Sequence, residues 1–143
     1  MERPFVSENA RERQRLISLV GRLTDVQLSQ HIDENWTVAV ALVHLAFWDH
    51  WCLSRMRKWA TKGVAPEPID FELANESLLP LWRIIQPRAA ADLAVSAAEA
   101  VDQAIEDAPA ALISDIERLE DRTRLYRSDH RKMHLDEIEA IIR

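Results

Sequence analysis

The stretch from Val38 to Leu53 is apolar on nearly every side of a helix, and no other feature constrains the chain as strongly. A helix that is hydrophobic all round has to be enclosed by others, so it reads as the central helix of an all-α fold. It is expected to begin at Trp36-Thr37, capped by Asn35 or Thr37, and to reach about Thr61. Gly63 ends it, and Pro66 and Pro68 prevent its continuation. Its apolar run is broken by His44 and falls short of the roughly 20 residues a bilayer span needs, so no membrane partner is expected.

The flanking segments supply the enclosing helices. The first is expected from Ser7, as N-cap, to Thr24, with Leu16, Leu19, Val20 and Leu23 inward and Arg11, Arg13, Arg15 and Arg22 solvated. A short turn follows at Asp25 to His31. Phe71 to Ile85 reads as helical, but kinked or split by Pro80 and Pro87. Ala89 to Asp107 is an alanine-rich helix with Leu93, Ala97, Ala100, Val101 and Ala104 on one side. Pro109 can open a further turn at its first position, and Ser128 to Ile142 forms the last helix. With 143 residues and no linker, the expectation is one domain over 1–143, built as an antiparallel four-helix bundle.

Composition excludes several function classes. Two glycines, Gly21 and Gly63, leave no Gly-rich phosphate loop and disfavour an all-β fold. The single cysteine, Cys52, excludes an internal disulfide framework, and with no signal peptide in view the expected location is cytoplasmic. A net charge of -6 argues against nucleic acid as a partner. The acids between Val64 and Asp107 read as a solvated face.

The chemistry lies with the five histidines. His130 and His134 are four residues apart, about 40° round one helix, a spacing that lets two imidazoles bite one metal ion. Ile138 and Ile141 fall within about 40° of His134, so the pair shares the stripe that faces the core. His44 repeats the pattern: Val40, Trp48 and Trp51 lie within about 40° of it. One core histidine is usually a hydrogen-bonded packing residue; three on facing helices point to a metal site in the bundle core. If the second and last helices run antiparallel, all three reach one level.

Other residues have weaker claims. His50 points about 120° away from His44, and His31 lies in a loop. Cys52 is a reserve ligand or a small buried hydrophobe. Glu137, about 60° from His134, is a fourth ligand, a base or a surface acid. Arg122, Arg124, Arg127, Arg131 and Lys132 form either a solvated face or an anion-attracting rim.

The segment Asn35-Trp36-Thr37, with His44-Leu45-Ala46-Phe47-Trp48-Asp49 after it, resembles the second-helix motif of the DinB-like superfamily. Within it, the chain is most similar to the metal-binding N-terminal domain of the mycothiol-dependent maleylpyruvate isomerase family. Ile69 to Asn75, followed by Trp82, resembles that branch's middle segment, and His130 to Ile138 resembles its closing histidine motif. The resemblance implies an up-down-down-up four-helix bundle. It also implies a divalent metal, zinc or nickel, on His44, His130 and His134. A low-molecular-weight thiol is implied as cofactor, with S-transferase, isomerase or hydrolase chemistry. With a single bundle domain expected, without the isomerase's additional C-terminal domain, isomerisation itself is not expected.

The expected function is therefore thiol transfer or hydrolysis at an open three-histidine site. Glu137 or Asp49 would move protons or orient a ligand. Arg127 and Arg131 would receive a thiol-bearing or anionic small molecule. The alternative is a non-enzymatic, dimeric interaction or stress-response module with structural histidines, favoured if tryptophans are exposed on one surface.

Overall fold

A computed structural model describes residues 3–142, and over them the chain is all-helical. In order the helices are α1 (Pro4–Arg22), α2 (Asp25–Leu28), α3 (Val38–Lys62), α4 (Phe71–Arg83), α5 (Pro87–Asp107), α6 (Ala110–Glu117) and α7 (Arg127–Ile141). A 3-10 turn at Arg122–Arg124 precedes α7, and the only β feature among the described residues is an isolated bridge between His31 and Thr37. No helix among these residues is long and apolar enough to cross a membrane.

Local chemistry accounts for most boundaries. The Thr37 hydroxyl accepts from the Val40 amide at 3.1 Å and caps α3, and Gly63, at φ 88°, ends it in a backbone region that favours glycine. Asp70 caps α4 by accepting from the Leu73 amide. Pro80 sits inside α4 without splitting it. Two expected boundaries and one buried face differ from expectation. Helix α1 begins at Pro4, whose missing N–H suits a first turn; Ser7 is already helical and bonds back to the Pro4 carbonyl. Pro109 stands at the cap of α6, not at its first helical position. On α5 the buried stripe is Ala90, Ala91, Ala94, Ala97, Ala98, Val101 and Ile105, with Leu93 exposed.

Helices α1, α3, α5 and α7 enclose the interior, α3 packing on both α5 and α7, and α1 on both as well. Almost every residue of α3 from Val38 to Trp48 is buried, as an all-round apolar helix requires. The alanines of α5 let it approach α3 closely, giving one core around Leu42, Leu45, Ala94 and Leu135. A second core, around Trp59, Ile105, Ile113 and Leu125, sits under α6. The tryptophans do not form an exposed face: Trp48, Trp59 and Trp82 are buried, and Trp36 and Trp51 half-buried. The acids of the middle third are not all solvated either, since Asp102 of α5 is 6% exposed and lies among arginines.

Candidate metal centre

The register of α7 is set from α1. Asn9, almost fully buried, donates from its amide to the Leu125 carbonyl at 2.8 Å and accepts from the Ser128 amide at 2.9 Å. A side chain from another helix thus satisfies the open N–H and C=O groups at the start of α7. Numbers fall along α3 as they rise along α7: Asp49 meets Arg127 and Arg131, and His44 meets His130 and His134.

His44, His130 and His134 converge. Each offers one ring nitrogen to a group whose atoms all lie within 4.8 Å of one another. His44 Nε2 and His130 Nε2 are 2.9 Å apart, and the three ring centroids are separated by 4.7–4.8 Å. Glu137 Oε1 lies 2.8 Å from His134 Nδ1. A proton on that Nδ1 leaves the Nε2 lone pair free, and this Nε2 is buried with no hydrogen-bond partner.

Aromatic rings close the cluster on one side. Trp36 packs edge-on against His44 at 4.7 Å and stacks on His134 at 6.2 Å, and Trp82 meets His44 at 5.5 Å. Trp36 is held by the loop before α3, where Asp33 Oδ1 accepts from the Asn35 and Trp36 amides. Arg83 of α4 donates to the Asn35 carbonyl.

Burial disfavours the charged imidazolium. It pushes His44 down to about 3, with nearby His134 adding to the effect, and His130 down to about 2, with Arg127 adding. His134 is also lowered by burial, although the Glu137 carboxylate opposes it. At neutral pH all three are therefore neutral, the state in which imidazole binds a metal. Three neutral imidazoles around one point, with an orphaned buried nitrogen and a carboxylate behind one ring, fit a divalent cation.

A second polar layer lies next to the histidines. Arg131 is fully buried; its NH1 and NH2 donate to Asp102 Oδ2 and Oδ1 at 2.8 and 2.7 Å. NH2 also reaches Asp49 Oδ2 at 3.2 Å, and NH1 the Asn9 carbonyl at 3.2 Å. Arg127 Nε donates to Asp49 Oδ1 at 2.8 Å, and Arg13 NH1 to Asp102 Oδ2 at 2.6 Å. Arg131 is thus a clamp between helices and no part of an anion-attracting rim, because its carboxylate partners already neutralise it. Asp49 is likewise engaged on both oxygens, which removes it as a free proton carrier.

Beside the histidines opens a cavity of about 690 Å³, within the size range of small-molecule sites. His44 and His130 form part of its wall, with Trp48, Trp51, Phe71 and Met133 as apolar lining. Arg127 lines it too, as do Arg55 and Arg124. Cys52 is in the wall but outside the histidine group, and burial pushes its thiol up. His50 is exposed; His31 is exposed and pairs with the Asp33 carbonyl.

Sequence reasoning passed over Asn9, Asp102, Trp36 and Arg55. For Arg55 a signal existed: eleven residues after His44, it falls about 20° round the same helical face, as does Trp51. Asn9 and Asp102 act across helices, and their partners lie far away along the chain. Compared with protein-family models, curated proteins and solved structures, the chain matches none.

Proposed function

We propose that this chain is a DinB-like four-helix metalloprotein whose three histidines hold a divalent ion, zinc or nickel, with a coordination position left for a small-molecule thiol or anion. The observation that carries the reading is the convergence of three neutral, core-facing imidazoles, two of which, His44 and His130, line a ligand-sized cavity. Helix directions support the up-down-down-up connectivity. Along α1 and α7 the numbers rise together, Asn9 meeting Ser128 and Arg15 meeting Asp136. Along α3 and α5 they fall against those helices, Asp49 meeting Arg127 and Arg88 meeting the Val20 carbonyl.

A divalent ion held by three imidazoles supplies Lewis acidity and lowers the pKa of a bound water or thiol, which suits S-transfer or hydrolysis. The chain's own groups divide the remaining work. Glu137 is a positioning residue: it holds the His134 Nδ1 proton, fixes the tautomer and turns Nε2 inward. Trp36 and Trp82 exclude water from one side of the rings. Arg127, held by Asp49 and by the Thr123 carbonyl, lines the cavity beside His130 with its charge balanced by Asp49, and is a fixed hydrogen-bonding wall for a ligand. The apolar lining accepts the body of a ligand.

Cobalt substitution followed by titration with a panel of low-molecular-weight thiols tests this reading. A metal–thiolate charge-transfer band is the expected result. If no thiol changes the spectrum and none gives calorimetric heat, the thiol chemistry is wrong, whatever the metal content.

A further inference from the structure

We infer that the far end of the cavity is a subsite for a single organic carboxylate, so that the ligand is an elongated monoanion lying between the histidines and Arg55. The inference deepens the proposed function and rests on that reading of the cavity as a ligand site.

Three buried N–H donors in the cavity wall have no acceptor: Trp51 Nε1, Arg55 Nε and Arg124 Nε. Leaving a buried donor unpaired is costly, more so for a charged group, and an acceptor that reaches it recovers the cost. All three are donors and two belong to guanidinium groups, so this end of the wall asks for an acceptor-rich ligand.

The charges select its valence. Arg55 has no carboxylate partner among the described residues; its NH2 meets only Cys52 Sγ, at 3.8 Å, and its guanidinium stacks over Trp59 at 4.6 Å. Arg124 Nε stands 3.6 Å from Asp121 Oδ2, too far for a hydrogen bond. The other acids in the wall are engaged elsewhere, Glu67 by Lys58 and Asp129 by Nε and NH2 of Arg122. Arg127 is paired with Asp49 and Arg131 with Asp102, and the third arginine of that network, Arg13, does not line the cavity. Arg55 and Arg124 against Asp121 leave one positive charge, which one carboxylate balances and a phosphate dianion would exceed. Burial lowers the Arg55 pKa; Arg124 and Arg127 add to this, and Cys52 and Asp121 oppose it.

Position sets the length. Arg55 stands three turns along α3 from His44, about 16 Å of helix. Trp51 lies between them on the same face, so an aromatic or aliphatic body fits the interval.

The test uses the full chain and the intrinsic tryptophan fluorescence, read with and without added zinc. The probes are 6-phenylhexanoate, its neutral amide and inorganic phosphate. The carboxylate is expected to bind at least about tenfold more tightly than the amide, a comparison that needs no variant. Arg55→Ala, checked for helicity by circular dichroism, is expected to erase that preference. His134→Ala is expected to keep it, since the subsite does not need the metal. Carboxylate binding that is lost in His134→Ala and unchanged in Arg55→Ala would place the anion on the metal and overturn the subsite. So would equal binding of carboxylate and amide, phosphate binding as tight as the carboxylate's, or no binding of any probe at millimolar concentration. A subsite that behaves as expected in a protein that takes no metal would leave this inference standing and remove the metal reading.

Discussion

Helices α3 and α7 carry two buried polar layers side by side, and they are built on opposite rules. In the arginine layer, the buried Arg131 and Arg127 are paired with Asp49 and Asp102, the partly exposed Arg13 joins at Asp102, and Arg131 Nε is the one guanidinium nitrogen of Arg131 without a bond. In the histidine layer, His44 Nδ1 and His134 Nε2 are both orphaned, and the three rings are held neutral by burial. A buried ion network with paired charges orders helices; a buried acceptor with nothing to accept from, as His134 Nε2 is, is what a ligand completes. The contrast separates the scaffold from the site, although the two are a few residues apart on the same helices.

The largest effect is expected from breaking the matched layer. Asp102→Ala removes both short bonds of the buried Arg131 guanidinium, leaving the longer contact to Asp49 as its only carboxylate bond, and should destabilise the protein by about 3–5 kcal/mol, read by urea or thermal unfolding. His134→Ala should change the stability of the metal-free protein by no more than about 1–2 kcal/mol, because it removes an unsatisfied group, while abolishing metal binding. If His134→Ala unfolded the protein as Asp102→Ala does, both layers would be structural.

The layers also differ in acid. His44 and His130 titrate at about 3 and about 2 in the folded chain, against about 6.5 when unfolded, so below pH 6.5 the unfolded state binds more protons. Their contribution is fully present above about pH 6.5 and is lost as pH falls towards 3. The metal-free protein should lose about 1 kcal/mol per pH unit for each such histidine over that window. The double variant His44→Gln, His130→Gln should show a shallower decline between pH 6.5 and 4.5. An unchanged pH profile would mean the histidines are solvated.

A smaller effect is expected behind the rings. Glu137→Gln should weaken metal affinity about 10–100-fold with little change in fold, as removal of a hydrogen bond to a ligating imidazole does. His50→Ala, exposed and off the stripe, should leave affinity nearly unchanged.

Much of this was legible in the sequence because periodicity is local. The all-round apolar run gave α3, Thr37 and Gly63 gave its ends, and helical angles put His44, His130 and His134 on core faces. What was not legible depends on pairings across the fold. Arg127 and Arg131 read as a cationic rim because their partners, Asp49 and Asp102, lie on other helices and far away in sequence. Asp102 read as a solvated acid for the same reason. The start of α1 was misjudged because Ser7 has good capping chemistry, while Pro4 upstream is better suited to a first turn. Arg55 was legible in angle, but its lack of a partner is a fact of the folded molecule alone.

The claim that one layer is a site and the other a scaffold is tested most directly by elemental analysis of untagged protein after zinc or nickel loading and dialysis, for the wild type, His134→Ala and His50→Ala. About one ion per chain is expected for the wild type and for His50→Ala, and none for His134→Ala, with all three equally helical. A wild-type protein that retains no metal after reconstitution with either ion, or a His134→Ala protein that retains a full equivalent, would contradict it.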